Sequence, residues 1–312
     1  MRPPTKLYKY CPISANSLRA ILRASAFHSP PTLFNDPLDC SPSLQLDVPA
    51  SQLMVLLRAM MRGRGSSETD IQREIDRIAY FATDLEDWEH GDAYDAQFSY
   101  QLGQEIMRLL RLEYGSRGVF SLSEKWDEPL LWSHYAAQHQ GICIEYDTTD
   151  CNTTILNRVD YTAPRAILAQ DLCAWKCDGD VEAEQRVFDT YFLAKAPQWS
   201  YEAEWRDIAD KSGSNPCGFD VTAVHFGMRV EFVWQWLFVK ALNQDPQVTL
   251  YDVFANEMTF DLERRELDRS ELESRSIDQP LFRIFSGFSE ADLENMSVGE
   301  KAINAPQFRG RT

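Results

Sequence analysis

The sequence predicts an α+β fold with a central mixed or antiparallel sheet, flanking helices and a helical insertion. Two observations predict it. Residues 51–114 repeat apolar side chains every three or four positions, which is typical of amphipathic helices. Outside that stretch, short segments rich in β-branched and aromatic residues indicate strands. Together the two patterns place a helical insertion beside a core that contains a sheet.

The insertion is predicted to contain three helices. Ile71, Ile75 and Ile78 recur at helical spacing, and Tyr94, Phe98 and further apolar residues do the same later. Gly63 and Gly65, and later His90 and Gly91, break the stretch from 51 to 114 into these three helices.

A strand, a helix and a second strand follow within thirty residues. Residues 118–123 read as a strand in which bulky apolar residues alternate with small ones. Pro129, after two acidic residues, is suited to the first turn of a helix through Ala136. Residues 141–146 read as the second strand.

Later segments complete the predicted domain. Residues 221–226 indicate a buried strand, 230–242 a buried helix, and 248–253 and 258–262 two final strands. We therefore expect one α+β domain over residues 1–264, including the insertion, and a peripheral polar tail over 265–312.

Composition limits the partners that we expect. The chain has 312 residues, with 48 Asp and Glu against 31 Lys and Arg, and a formal net charge of -17. A surface this acidic repels phosphate backbones, so nucleic acid is not favoured unless a local basic groove overrides the charge. With no apolar run of about 18 residues and no signal-peptide pattern, the sequence predicts a cytoplasmic protein without membrane contact.

The absence of several short sequence motifs argues against the chemistries that need them. The seven cysteines include no CxxC pair, so we expect reduced thiols rather than a zinc site. The sequence contains no GxxxxGK[ST], GxGxxG, GxSxG or HExxH motif, which argues against simple nucleotide hydrolases, dehydrogenases, α/β-hydrolases and zinc proteases.

In the segment from Trp199 to Arg206, two carboxylates lie between two tryptophans and a guanidinium follows the second tryptophan. If this segment is extended, Glu202 and Glu204 share one face and could act as a pair, whereas on a helix they could not converge. The alternative without chemistry is that one carboxylate pairs with Arg206 and the other is solvated at a strand edge.

Two other polar groups are candidates for a ligand site. Asn35 and Asp36 precede a proline, and either an Asx-turn or a ligand-facing loop explains them. His134 stands beside Tyr135 in a predicted helix, where it can serve a site or fill a helix–sheet seam. His139 lies five residues further on, a spacing that does not favour a metal ion.

Five blocks of residues follow one another along the chain. They are Leu7-Tyr8-Lys9-Tyr10; Leu33-Phe34-Asn35-Asp36-Pro37; Phe120-Ser121-Leu122-Ser123 with Leu131-Trp132-Ser133-His134-Tyr135-Ala136 and Gly141; Tyr201-Glu202-Ala203-Glu204-Trp205-Arg206; and Phe226-Gly227. Their order resembles the successive signatures of domain-of-unknown-function family 2971, over residues 7–262. The resemblance implies an α+β domain of uncharacterised bacterial proteins with no settled activity.

A more distant resemblance links the chain to ADP-ribosyltransferases, which combine a Ser-x-Ser strand with a Glu-x-Glu pair. Ser121 and Ser123 have the first form, and Glu202 and Glu204 have the second, in the same chain order. The first-strand Arg or His of those enzymes is replaced here by Lys9, Tyr10 or Cys11, and some eighty residues separate the two motifs.

This resemblance implies an NAD-consuming transferase or glycohydrolase, in a bacterial stress or phage-defence setting, with NAD as its substrate. Glu204 would be the principal catalytic carboxylate and Glu202 the acceptor-side carboxylate. Ser121 and Ser123 would supply cleft hydroxyls. The ring-stacking candidates are Tyr8, Tyr10, Trp132 and Tyr135, and His134, Asn35, Asp36 and Arg206 complete the expected ligand-binding set.

Two other functions remain open. One is a non-catalytic ligand-sensing or protein-interaction module, whose protein partner the sequence does not identify. The other is a metal-dependent nuclease, which requires Asp36, Glu124, Glu202 and Glu204 to lie within roughly 2.0–2.6 Å of a common ion. Whether the protein is an enzyme at all is therefore undecided by the sequence.

Overall fold

The structure is a computed structural model that describes residues 3–23, 25–83, 91–149, 156–242 and 247–274. The chain divides into two units. Among the described residues, unit 1 comprises 28–83, 91–121 and 156–214, and unit 2 comprises 3–23, 25–27, 122–149, 215–242 and 247–274. The prediction of one domain over residues 1–264 stays a prediction.

Helices and strands are both well represented, which confirms the α+β class. The α-helices are α1 (Ala15–Leu22), α2 (Ala50–Gly63), α3 (Glu68–Ala82), α4 (Gly91–Tyr114), α5 (Pro129–Tyr135), α6 (Ala169–Cys173), α7 (Val181–Phe192), α8 (Phe232–Ala241) and α9 (Arg269–Ser274). The strands are β1 (Lys6–Cys11), β2 (Ser25–His28), β3 (Ser43–Gln45), β4 (Gly118–Ser123), β5 (Ile142–Asp147), β6 (Leu156–Arg158), β7 (Ala166–Leu168), β8 (Glu204–Ala209), β9 (Gly213–Pro216), β10 (Asp220–Phe226), β11 (Thr249–Ala255) and β12 (Leu262–Glu266).

Unit 1 contains the predicted helical insertion. Helices α2, α3 and α4 occupy it, so the described part of residues 50–114 contains the three predicted helices. The Ser67 hydroxyl accepts from the Asp70 backbone amide at 3.2 Å and caps the start of α3. Ile71, Ile75 and Ile78 are buried along one face of that helix, where the periodicity placed them.

The hydrophobic core of unit 1 is built from these helices together with α6 and α7. Leu56, Leu102, Ile106 and Phe192 are at its centre, each 0% exposed. Two pairs of strands border this core. β3 pairs parallel with β7, and β6 pairs antiparallel with β8.

Unit 2 contains a mixed sheet in the order β12-β11-β10-β5-β1. β10 and β11 run parallel, whereas the pairs β1 with β5, β5 with β10, and β11 with β12 are antiparallel. Tyr8 on β1 lies opposite Glu145 on one side and Ser123 of β4 on the other. The prediction of a mixed or antiparallel sheet is therefore confirmed.

The central strand β5 is buried on both faces from Ile142 to Tyr146, including the carboxylate of Glu145. Glu145 is 2% exposed, and it accepts from Lys6 Nζ at 2.6 Å and from the Thr222 hydroxyl at 2.9 Å. These partners explain how a carboxylate is tolerated on a central strand.

Two predictions about the C-terminal part of the chain were wrong in detail. Met258 and Phe260 do not belong to a strand. They lie in the turn between β11 and β12 and are 91% and 98% exposed. The Asn256 side-chain oxygen accepts from the Met258 backbone amide at 2.8 Å, which fixes a turn that the apolar residues do not reveal. The predicted final helix is present as α8, but Trp234 in it is 37% exposed.

Two further observations bear on the predictions. Among the residues that the structure describes, no helix is long and apolar enough to span a bilayer. The predicted polar tail over residues 265–312 is described only as far as residue 274, where α9 ends.

Candidate functional site

The Glu202–Glu204 segment is only partly extended. Glu202 ends a 3₁₀ turn that begins at Pro197, Ala203 has a left-handed φ of 44°, and Glu204 is the first residue of β8. The condition for a shared strand face, an extended segment, is therefore met at Glu204 and not at Glu202. The left-handed Ala203 separates the turn from the strand, and both glutamate side chains still reach one cation.

That cation is Lys195, which follows α7 in unit 1. Its ammonium donates to the carboxylates of Glu202 and Glu204, the latter at 2.8 Å, and lies 3.5 Å from an oxygen of Asp39. The Lys195 side chain is only 6% exposed. The two glutamates therefore bond to the same group, Lys195, which no sequence pattern indicated.

Arg206 also bonds to two of these carboxylates, those of Glu204 and Asp39. Its Nε and Nη2 atoms donate to Glu204 at 2.8 and 3.0 Å, and its Nη1 and Nη2 atoms donate to Asp39 at 2.9 and 2.7 Å. Nη1 also donates to the Phe192 carbonyl at 2.6 Å, and the side chain is 0% exposed. Each carboxylate thus receives a two-point contact from one planar guanidinium.

We call Asp39, Lys195, Glu202, Glu204 and Arg206 the ion cluster. It contains three carboxylates and two cations, all of them buried. The expected pairing of one glutamate with Arg206 is confirmed. The expected solvation of the other is wrong, because Glu202 is 4% exposed and bonded to Lys195.

Mutual charge compensation sets the protonation states in the ion cluster. Burial alone would raise the pKa of Glu204, but the charges of Arg206 and Lys195 outweigh it and hold that pKa well below its usual range. Burial would lower the pKa of Lys195, but Glu204 and Asp39 outweigh it and raise that pKa. At neutral pH, Glu204 is therefore an anion and Lys195 a cation.

Aromatic and loop residues enclose the ion cluster. The Trp199 ring centroid lies 5.4 Å from the Lys195 ammonium, and the Trp199 indole donates to Asp36 at 2.7 Å. The other Asp36 oxygen accepts from the Leu38 backbone amide at 2.8 Å, which confirms the predicted Asx-turn. Phe34, in the same loop, lies under the Arg206 guanidinium at 5.7 Å. The loop signature at residues 33–37 and the Glu-rich signature at residues 201–206 therefore both lie at the ion cluster.

A cavity of about 220 Å³ adjoins the ion cluster, and we call it cavity A. Lys195 and Cys40 line it, together with apolar residues that include Leu38, Ala194 and Pro197. The Cys40 sulfur accepts from Arg206 Nη1 at 3.3 Å, and burial raises the pKa of its thiol, so it is not a thiolate. Cavity A thus has a mostly apolar lining, and the ion cluster contributes Lys195 to it.

Several other predicted site residues lie in unit 2 and are buried. Trp132 is 0% exposed, and its indole donates to the Trp126 carbonyl at 2.8 Å. Tyr10 packs edge-on against Trp132 and donates to the Lys125 carbonyl at 2.8 Å. Tyr8 is 7% exposed. These rings are occupied in packing within unit 2, and their use as stacking surfaces for a ligand stays a prediction.

The remaining predicted residues occupy varied positions. Ser123, in unit 2, is 5% exposed and accepts from the Lys125 backbone amide at 3.0 Å. Ser121 and Asn35 lie in unit 1, the first half-buried and the second exposed. His134 is exposed on α5, and its ring lies 6.2 Å from that of the half-buried Tyr135.

The signature glycines have a packing role in unit 2. The Gly227 amide donates to the Gly141 carbonyl at 3.0 Å, and a Cβ on Gly227 would collide with the His139 carbonyl oxygen. His139 belongs to a run of three left-handed residues with φ of 47°, 56° and 67°. The glycines allow the backbone to approach this strained turn.

The described residues do not favour the nuclease alternative. Among them, no group of three or more His, Cys, Asp or Glu side chains is arranged to hold a metal ion. Glu202 and Glu204 are bonded to Lys195 instead.

Sequence reasoning missed three residues of the site. Asp39 follows the Asn35–Asp36 signature by only a few positions, so the loop resemblance could have suggested it. Cys40 is its neighbour. Lys195 lies between an amphipathic helix and a proline, where no local pattern distinguishes it from a solvated lysine.

Comparison with known proteins finds a family match over part of the chain. The family model described as "Protein of unknown function (DUF2971)" matches residues 131–206, which confirms the predicted family. The matched region begins in α5 and ends at Arg206, so it includes Lys195 and both glutamates. No curated protein and no solved structure matches the chain, and the comparisons do not support the resemblance to ADP-ribosyltransferases.

Proposed function

We propose that this member of the DUF2971 family of proteins of unknown function is a non-catalytic module that binds a small organic molecule in cavity A. One observation carries the proposal: Lys195, which lines cavity A, is held in place by Glu202 and Glu204. The Glu-rich family signature, which contains Glu202 and Glu204, therefore fixes a residue that lines cavity A.

The state of the ion cluster supports binding rather than catalysis. General acid–base chemistry needs a group whose pKa lies near the working pH. The charges of Arg206 and Lys195 keep the pKa of Glu204 well below that range, although burial opposes them. The Lys195 pKa is raised because Glu204 and Asp39 outweigh burial, so its amine is not a free nucleophile.

The size and lining of cavity A define the ligand. Its volume of about 220 Å³ is smaller than the roughly 300–1,000 Å³ of sites for drug-sized molecules. It therefore suits one ring system rather than a whole dinucleotide. Leu38, Ala194 and Pro197 offer apolar contact, while the Thr190 hydroxyl and the Cys40 thiol offer polar contact.

Thermal-shift measurements test this proposal. The ligands are nicotinamide, adenosine, AMP, ADP-ribose and NAD, and binding at one hundred times Kd should stabilise the protein by about 2.7 kcal/mol. Ala163→Phe places a ring in cavity A and should remove the shift. Ala96→Phe, on the exposed face of α4, is the matched control and should retain it.

The two variants distinguish binding in cavity A from binding elsewhere on the protein. A shift that Ala163→Phe abolishes and Ala96→Phe retains supports binding in cavity A, provided that both variants unfold cooperatively. Shifts that are identical in the two variants would place the ligand elsewhere and remove the proposal.

A second candidate is an NAD-consuming transferase or glycohydrolase acting in bacterial stress or phage defence. The convergence of Glu202 and Glu204 on one ammonium favours it, because two oxygens bonded to the same nitrogen lie within roughly 6 Å of each other. Paired carboxylates at such separations serve cleavage of glycosidic bonds. An ionised Glu204 could stabilise positive charge on the ribose.

Release of nicotinamide from NAD, followed by chromatography, tests the second candidate. Glu204→Gln should abolish release, whereas Glu68→Gln, on the surface of α3, should not change it. Release at the wild-type rate from Glu204→Gln would remove this mechanism. Binding without release by the wild-type protein would leave the module as the function.

A further inference from the structure

A second cavity of about 280 Å³, which we call cavity B, lies in unit 1 between α4 and β3. Tyr100, Gln104, Met107 and Arg111 line it from α4, with spacings of four, three and four residues that place them on one face of the helix. Gly103 lets this face approach the β3 segment, because a Cβ there would lie 2.9 Å from a methyl carbon of Leu46.

Two arginines line cavity B, and neither is paired with a carboxylate in the part of the chain that the structure describes. Arg165 is exposed and donates to the Ser41 carbonyl at 3.2 Å. Arg111 is also exposed, and its side chain forms no hydrogen bond or ion pair with another described residue. Both guanidiniums therefore have donors available to a ligand.

The local charge of cavity B is opposite to that of the whole protein. The chain carries a formal net charge of -17, yet the described residues that line cavity B include two arginines and no Asp or Glu. Ser41 and Ser43 add hydroxyl groups, and Gln104 adds an amide. This is the local positive site that an acidic surface requires before it can hold an anion.

Cavity B adjoins cavity A. The two share Ser41, Pro42 and Arg165 in their linings, so one molecule can occupy both. Tyr191 of cavity A also lies within the electrostatic reach of Arg111. Burial raises the pKa of Tyr191 to about 12, and the Arg111 charge opposes that rise.

We infer that cavity B is the phosphate subsite for the ligand whose organic part cavity A holds. The ligand class is therefore a phosphorylated small molecule with one ring system next to its phosphate or diphosphate, as in a nucleotide. This inference rests on the proposed function for the organic part, whereas the anion site itself depends only on Arg111 and Arg165.

The geometry of arginine explains the preference for phosphate. A guanidinium presents paired donors in a plane, which match two oxygens of one phosphate, and it stays protonated at all physiological pH values. Two guanidiniums that line one cavity can donate to different phosphates of a diphosphate. Serine hydroxyls and the Gln104 amide can bond to further phosphate oxygens.

Isothermal titration calorimetry with inorganic pyrophosphate tests the subsite alone, because pyrophosphate has no organic part. We expect one molecule to bind per chain, and Arg111→Gln or Arg165→Gln to weaken binding by about ten- to hundredfold. Arg73→Gln, which removes an equal charge from an arginine that is 72% exposed on α3, is the matched control and should retain binding.

The outcomes distinguish this inference from the proposed function. No binding of pyrophosphate, or equal binding by wild type and both cleft variants, overturns the phosphate subsite. Malonate bound as tightly as pyrophosphate overturns the choice of phosphate over carboxylate. If pyrophosphate binds as expected but AMP binds no more tightly than phosphate does, the subsite stands and the organic site in cavity A fails.

Discussion

The ion cluster and cavity B both contain arginines in unit 1, but the surroundings of these arginines differ. Arg206 is 0% exposed and bonded to Glu204 and Asp39, whereas Arg111 and Arg165 are exposed and unpaired with any described carboxylate. A buried charge must be compensated for the protein to fold, so its pairing reports on stability. Unpaired charges grouped in a cleft remain available to a ligand.

The largest predicted effect follows from breaking the ion cluster. Glu204→Ala leaves Arg206 and Lys195 buried with fewer carboxylate partners, and we expect it to lower the free energy of unfolding by about 3–5 kcal/mol. Urea denaturation followed by circular dichroism measures this. A loss below about 1 kcal/mol would show that the network is dispensable for folding.

The next largest predicted effect on stability comes from His225, a buried histidine that stays neutral at pH 7. Burial lowers the pKa of His225 in unit 2 to about 4, with the charge of Arg264 acting in the same direction. The unfolded chain binds the proton more tightly, with a pKa near 6.5. The contribution of the neutral His225 to the free energy of unfolding is therefore fully present above about pH 6.5. It falls by about 3 kcal/mol in total as the pH decreases to about 4.

Unfolding measured between pH 7 and pH 5 tests this prediction, with His225→Gln as the comparison. The variant should lack most of the slope over that range. Glu204, whose pKa is lowered, acts in a separate window: its contribution is present above about pH 4.3 and declines only as the pH falls below that value. An unchanged slope in His225→Gln would contradict the account of this histidine.

Cavity B should behave in the opposite way to the ion cluster. Arg111→Gln removes an exposed side chain that forms no described ion pair, so we expect the free energy of unfolding to change by no more than about 0.5 kcal/mol. The same urea titration measures it. A larger loss of stability would indicate a structural role for Arg111 and weaken its assignment to a ligand site.

The smallest effect is expected at an exposed ion pair. Arg62 bonds to Glu68 on the surface of the helical insertion, with side chains 56% and 60% exposed. Glu68→Ala should leave stability unchanged within the error of the measurement, because solvent screens such pairs. A loss as large as that of Glu204→Ala would show that burial does not explain the difference between the two pairs.

The parts of the fold that sequence patterns predicted are those determined by local periodicity. Ile71, Ile75 and Ile78 repeat at helical spacing and are buried on one face of α3. Pro129 starts α5, as its preference for a first turn predicts. Met258 and Phe260 show the limit, because an apolar alternation does not reveal that the Asn256 side chain holds them in an exposed turn.

The candidate site was predictable only in part. The pairing of Glu204 with Arg206 follows from their proximity in sequence. Asp39 and Lys195 reach the ion cluster through tertiary packing, which spacing along the chain does not encode. Arg111 and Arg165 come from distant segments, so nothing in the sequence joined them in one cleft.

The most direct test of the contrast between the two regions is pyrophosphate affinity, measured by calorimetry at a temperature where both variants are folded. We predict that Glu204→Gln, in the ion cluster, retains the wild-type Kd within about threefold, whereas Arg111→Gln weakens it by about tenfold or more. The reverse result, with binding lost in Glu204→Gln and retained in Arg111→Gln, would contradict the account.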